Sequence, residues 1–329
     1  MSKEQEEDTR HKTQDIRHKN LESRVLSLES YKMPYALCSM PILVYHKVDS
    51  RIELGITSLP PRRFERQIRF LKHEGYTSIS PSEILDFRFV ICDFPNFLKK
   101  RLQAFSKGLQ SKIKNQKSKI SKPTLITFDD GYEGVYTYAY PILKKYASTA
   151  IVFVTTGYIG KHNSWDASPG PRFRHLSWNH IREMADDGIW FGSHGINHTF
   201  LTRQSDSAAR HEIEASKKQL EDGLGQPIRF FSYPYGDHDD RIINLVQEAG
   251  YEAAFSLQPD LLTFDVSHLT FHDIYKLPRI AIYLTDSMWA FRAKIGCIRG
   301  DLLPYIQKTK NRLINRCAYA SMLVRGKVN

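Results

Sequence analysis

Residues 124–131, TLITFDDG, run from a short apolar, β-branched stretch straight into two carboxylates and a glycine. A run of this kind reads as a strand buried on both faces, and its end puts Asp129 and Asp130 just beyond the strand's carboxyl terminus. Toward the C-terminus, the helix-like VYTYAYPILKKYA (135–147) leads into a second buried strand, TAIVFVTTG (149–157). WNHIREMADDG (178–188) predicts a helix stopping near Gly188, and IWFGSHG (189–195) a third strand. SDSAARHEIEASKKQLEDGLG (205–225) predicts a long helix behind a Ser or Asp cap. IRFFSYPYG (228–236), EAAFSL (252–257) and KLPRIAIY (276–283) are further extended segments, with the helix DDRIINLVQEAG (239–250) between the first two. Toward the N-terminus, PILVYHKV (41–48) suits a buried strand. In PPRRFERQIRFLKHEGYTSIS (60–80), Pro61 opens a helix whose Phe64, Ile68 and Leu71 share a face before Gly75 stops it. Strands alternating with helices predict parallel pairing in an α/β fold. The density of units between Thr124 and Leu257 favours one barrel over two domains. In such barrels chemistry collects on loops at the carboxyl ends of strands.

Composition excludes several classes. The 329 residues are 41% hydrophobic and 25% charged, which fits a globular chain rather than a disordered or membrane-embedded one. No apolar run approaches the roughly 18–20 residues of a spanning helix. The first thirty-odd residues are densely charged and lack the apolar core of a secretory signal, so the expected location is cytoplasmic or peripheral to a membrane. Cys38, Cys92, Cys297 and Cys317 are widely spaced, which predicts free thiols rather than a disulfide framework or structural zinc site. Net charge is +11, concentrated in residues 99–122 and in the last forty residues. Such runs attract polyanions or form solvated faces. With Phe105 as its one aromatic residue, the first run offers little base stacking and does not predict nucleic-acid binding. The C-terminal segment mixes apolar and basic residues, compatible with packing on the barrel or with peripheral membrane contact.

The candidate site residues follow the apolar runs. Asp129 and Asp130 come after the first, His194 and His198 after IWFGS, and Tyr233, Pro234, Tyr235 and Gly236 after IRFFS. Adjacent carboxylates beyond a buried strand are costly without a neighbouring positive charge, and a divalent cation is the simplest supply. One Asp and two His make a three-ligand set for Zn²⁺ or a similar ion, leaving room for water and substrate and leaving the second Asp free to take a proton. Alone, Asp-Asp-Gly is compatible with a turn or cap, and H-x-x-x-H with a helix surface. Their coincidence at two strand ends of one barrel points to a metal site. Among the aromatic residues, Trp165 in a polar loop is a sugar-contact candidate, whereas Trp178 reads as helix packing. His162, His175 and His180 read as surface histidines.

TFDDGY, SHGINH and SYPYG, in this order, resemble the first three motifs of the polysaccharide deacetylases, the NodB-homology carbohydrate esterases. PILVYHKV, FERQIRFLKHEGYTSISPSEIL, LSWNHIREMADDG and KLPRIAIY resemble stretches of the poly-N-acetylglucosamine deacetylase branch, so the resemblance covers about residues 41–283. It implies a distorted (β/α)7-like barrel, with Asp129 as catalytic base and Asp130, His194 and His198 as ligands of a divalent metal. Zn is the expected ion, with Co, Ni or Fe as alternatives. Tyr233, Pro234, Tyr235 and Gly236 would wall the substrate groove, a backbone N–H there helping to hold the oxyanion. The implied reaction is hydrolysis of the acetamide of N-acetylhexosamine residues in a glycan. A non-glycan amide or an O-acetyl ester is the alternative substrate, and a silent glycan-binding protein the alternative role.

The chain departs from the family pattern in three places. Many members carry an Arg that orients the base where this chain has Ser232; Arg279, in LPRI, is the candidate substitute and is also placed with the substrate-binding residues. No Asp-rich fourth motif with a Trp follows residue 240. No clean L-x-H general-acid motif is present in the C-terminal part, where Leu269–His272 misses the pattern by one position. His46, after the N-terminal strand, is the better candidate if the barrel is circularly permuted; a structural role for His46 is the alternative. The expected organisation is a charged, disordered tail over 1–33 and a deacetylase domain over 34–289 with a basic insertion at about 99–122. A basic helical extension over 290–329 completes it.

Overall fold

The computed structural model describes residues 40–51, 56–85, 122–165, 172–257 and 273–296. The N-terminal tail, the basic insertion up to residue 121, the extension beyond 296, all four cysteines and His272 lie outside the described residues.

The strands are β1 (Ile42–Tyr45), β2 (Lys47–Val48), β3 (Ser58–Leu59), β4 (Tyr76–Ser78), β5 (Lys122–Phe128), β6 (Ile151–Val154), β7 (Trp190–Ser193), β8 (Phe230–Ser232), β9 (Ala253–Ser256), β10 (Leu277–Pro278) and β11 (Ile280–Ala281). All pair in parallel. The main path runs β10-β9-β8-β7-β6-β5-β1-β11, β4 adds to the start of β5, and β2 pairs with β3 separately. β10 and β11 are two halves of one segment: Leu277 pairs with Phe255 of β9, while Ile280 pairs with Leu43 of β1. Residues 277–281 therefore join the two ends of the path and close the ring, with Arg279 at the seam. This is the expected (β/α)-type barrel, nearly closed.

Helices pack outside the ring where their apolar stripes dictate. The first, α1 (Pro61–His73), has proline at its start and buries Phe64, Ile68 and Leu71, as the spacing predicts. Tyr45, Phe64 and Phe128 meet with ring centroids 5.1–5.7 Å apart, tying α1 to β1 and β5. The segment read as one helix over 135–147 is two: a π turn, Val135–Ala139, then α2, Tyr140–Lys145. Pro141 has no N–H to give and its ring crowds the preceding turn, which a wider π turn relieves. α3 (Trp178–Asp186) starts at the Ser177 capping box, and α4 (Asp206–Leu224) runs from the Ser205 cap to a left-handed Gly225. Trp178 packs against Gly223 of α4, as the helix-packing reading expects. α5 (Asp240–Glu248) follows β8, and α6 (Met288–Lys294) follows the closing segment. Among the described residues no helix is long and apolar enough to cross a membrane.

Close packing makes one position a sensitive test of the ring. A Cβ on Gly192, inside β7, would lie 2.5 Å from the Phe153 ring and 2.8 Å from Phe230 O. Gly192→Ala is therefore expected to cost about 1–3 kcal/mol through overpacking, read as a lowered denaturant midpoint; an unchanged midpoint would contradict this packing.

Candidate active site

Parallel strands bring their carboxyl ends to one mouth of the ring, and the predicted residues arrive there from separate strands. His46 follows β1, Asp129 and Asp130 follow β5, His194 follows β7, and Tyr233–Gly236 follow β8. Asp130 Oδ1 lies 3.5 Å from His194 Nε2 and 3.1 Å from His198 Nε2. One ligand atom from each of the three residues falls within 4.8 Å of the others. A tetrahedral ion with bonds of about 2.1 Å holds its ligand atoms about 3.4 Å apart, so the spacing fits.

The polar bookkeeping of the cluster also fits a cation. His194 Nδ1 faces the Ser232 carbonyl at 2.7 Å. A carbonyl only accepts, so Nδ1 carries the hydrogen and Nε2 turns its lone pair toward Asp130. Burial pushes the His194 pKa down to about 4, so the ring is neutral at neutral pH. Asp130 Oδ1 and His198 Nδ1 are buried without hydrogen-bond partners among the described residues. Burial opposes ionisation of Asp130, yet the fields of His198, His46 and His194 hold its pKa well below the carboxylate range. An ionised oxygen facing a lone pair is repulsive until a positive charge stands between them.

The backbone is bent to bring these groups in. Non-glycine residues with positive φ among the described residues are Asp130 (70°), Ala147 (45°), His198 (55°) and Tyr235 (62°), and three of the four belong to the site. Each costs about 1–3 kcal/mol and persists only where surrounding contacts enforce it. At Asp130 the turn continues through Gly131, φ 72°.

Asp129 faces the barrel interior and is clamped by Arg279. Arg279 Nη1 donates to Asp129 Oδ1 and Nη2 to Oδ2, both at 2.7 Å, and both side chains are almost fully buried. Nη2 also donates to Ser232 Oγ at 2.8 Å, and Nη1 to Thr127 Oγ1 at 3.2 Å. Burial pushes the Asp129 carboxyl up, but the Arg279 charge and hydrogen bonds, with His194, hold it below its ordinary value. The small side chain of Ser232 leaves room for the guanidinium, which reaches Asp129 from the closing seam. His46 is half-buried and electrostatically coupled to both carboxylates; burial lowers its pKa while Asp130 and Asp129 oppose that.

Three expectations are corrected. The Tyr233 ring does not wall a groove: it is buried, with its hydroxyl donating to Tyr275 O at 2.8 Å, because strand alternation sends it away from the barrel axis while Ser232 points inward. Arg279 stands where a substitute for the base-orienting Arg would, on Asp129, and is not placed to bind substrate, since its guanidinium is occupied by Asp129, Ser232 and Thr127. His175 is not a surface residue: it is buried, stacks on Tyr132 with centroids 4.6 Å apart, and its Nδ1 lies 3.0 Å from the Asp130 carbonyl. Burial pushes its pKa down to about 4.

Pro234 is buried, while Tyr235 and Gly236 are partly exposed at the mouth. The Tyr235 ring meets the His198 ring edge-on at 4.3 Å, and Trp165 stacks on the same imidazole at 4.8 Å and 16°. Trp165 thus stands beside the cluster. Sequence reasoning missed Glu212 of α4, whose carboxylate accepts from the backbone between the two histidines. The available signal was an acidic residue on the helix's apolar stripe, in step with Ala209, Ile213, Ser216 and Leu220.

Residues 116–254 match the family model described as polysaccharide deacetylase. The poly-β-1,6-N-acetyl-D-glucosamine N-deacetylase of Staphylococcus aureus is 28% identical over 274 residues, covering 76% of this chain and 81% of that protein. The deacetylase PplD of Streptococcus pyogenes, solved with acetate, has a similar fold at TM-score 0.60 and 23% identity, covering 78% of this chain and 98% of that one. IcaB from Ammonifex degensii is similar at TM-score 0.57 and 22% identity, over 82% and 96% of the two chains. The residues that match the polysaccharide deacetylase model, 116–254, include the strands that deliver both the carboxylate pair and the histidine pair, and the fold shared with the two solved structures covers more of the chain than that match.

Proposed function

We propose that the protein is a metal-dependent N-deacetylase that hydrolyses the acetamide of N-acetylhexosamine residues in a polysaccharide, releasing acetate and a free amine. One observation carries this reading: an ionised Asp130 oxygen, buried and without a hydrogen-bond partner among the described residues, faces two imidazole nitrogens at ligand spacing beside a second carboxylate. The relative from Staphylococcus aureus, named for deacetylation of a β-1,6-linked N-acetylglucosamine polymer, supports the choice of glycan.

Asp130, His194 and His198 would hold the ion, which supplies Lewis-acid polarisation of the acetyl carbonyl and a more acidic water. Asp129 takes the proton from the attacking water. Its clamp to Arg279 fixes the carboxylate orientation and keeps it ionised to receive that proton. His46, which follows β1, gives a proton to the departing amine; burial lowers its pKa, and the two carboxylates oppose that. Trp165 and Tyr235, both partly exposed and in contact with the His198 ring, are the aromatic residues against which a sugar packs.

The protein loaded with Zn²⁺ or Co²⁺ is expected to release acetate from β-1,6-linked N-acetylglucosamine oligomers, to lose this activity on chelation, and to regain it on metal return. Metal-replete protein releasing no acetate across a panel of N-acetylated glycans would overturn the proposal.

A further inference from the structure

The stripe that α4 turns inward consists of Ala209, Glu212, Ile213, Ser216 and Leu220, with Glu212 its single carboxylate. A buried carboxylate is unfavourable unless its oxygens are filled by donors, and here the donors come from one place. Oε2 accepts from Ile196 N at 2.8 Å and Asn197 N at 2.9 Å, and Oε1 accepts from Asn197 Nδ2 at 2.6 Å. These amides form the middle of the stretch that begins at His194 and ends at His198.

The opposite edge of the stretch is held too. Gly195 O and Ile196 O accept from Thr156 N and Gly157 N, both at 3.0 Å. A Cβ on Gly157 would stand 2.6 Å from Ile196 O, so this approach needs glycine. The Ser193 hydroxyl accepts from Gly195 N at 3.2 Å and donates to Ser216 of α4 at 2.7 Å. Between these anchors the chain passes through left-handed backbone at Gly195 (φ 76°) and His198 (φ 55°). With Glu212 removed, two consecutive amides lose their acceptor and the strained turn loses the contact opposing its relaxation.

We infer that Glu212 is a positioning residue that fixes the distance between the His194 and His198 imidazoles, and through it the affinity and geometry of the metal centre. The inference rests on the metal-dependent reading proposed above. It concerns a residue that touches neither ligand side chain, and it acts through the backbone rather than by bonding an imidazole.

The test compares Glu212→Asp and Glu212→Gln with the wild-type protein, by Zn²⁺ competition against a chromophoric chelator and by the visible spectrum of the Co²⁺ form. Asp shortens the side chain and withdraws both oxygens. It is expected to weaken Zn²⁺ binding about 10–100-fold, the range for loss of a ligand's outer partner, and to shift the Co²⁺ bands. Gln keeps the length and an oxygen for Ile196 N and Asn197 N, and is expected to recover most of the affinity and the wild-type spectrum. Thermal melting of the metal-free proteins separates positioning from general loosening. If Glu212→Asp binds Zn²⁺ as tightly as wild type with the same Co²⁺ spectrum, or if affinity merely follows metal-free stability across both variants, the inference is overturned. Wild-type protein that binds no divalent ion would instead remove the metal reading itself, and this inference with it.

Discussion

Asp129→Asn is expected to cut acetate release by about 10²–10⁴-fold, the usual contribution of a positioned general base, while Zn²⁺ affinity stays within severalfold of wild type. The two halves of this result come from different carboxylates. Asp130, not Asp129, faces the imidazole nitrogens, at 3.1 and 3.5 Å. Asp129 instead spends both oxygens on Arg279. Asparagine keeps the shape and one acceptor oxygen and leaves the three ligands untouched; it strands the buried Arg279 charge and so lowers stability, and the amide cannot receive a proton from water. Steady-state kinetics paired with metal analysis checks both parts. A variant that retains a tenth of the wild-type rate would take the base role away from Asp129. One that loses its metal together with its activity would mean that Asp129 belongs to the ligand set.

Arg279→Met is expected to lower global stability by about 3–5 kcal/mol, because it strands a buried carboxylate without its counter-charge. Lysine is no substitute: its ammonium cannot span both oxygens of Asp129 and reach Ser232 as the planar fork does. The double variant Arg279→Met with Asp129→Asn leaves no stranded charge and should recover part of the loss, which a double-mutant cycle in denaturant measures. Arg279→Met melting within about 0.5 kcal/mol of wild type would show that the clamp contributes far less than buried pairs do.

Much of this architecture is written in local sequence. TLITFDDG and IWFGSHG are short runs with only one plausible environment, a strand buried on both faces, and each ends in side chains no apolar core tolerates. That contrast is why Asp129, Asp130, His194 and His198 could be read without coordinates. Arg279 is legible as a substitute for the base-orienting Arg, but choosing between that place and contact with substrate depends on how residues 277–281 bridge β9 and β1, a pairing between chain segments far apart. Tyr233 was misjudged because a motif marks a position in the chain and not the direction of each ring, which strand alternation decides. His175 was misjudged because its burial is built by Tyr132, Tyr158 and Trp165, none of them its sequence neighbours. Glu212 looks like an ordinary helix-surface acid until the backbone it serves is folded against it.

The seam of the ring links assembly to reactivity. The final turn of the barrel staves is also the step that delivers a guanidinium to Asp129, since Arg279 sits between the two short pairings that shut the circle. A fragment ending before Leu277 would keep Asp129, Asp130, His194 and His198 and still lack the guanidinium that meets Asp129, so the carboxylate would stand without that counter-charge.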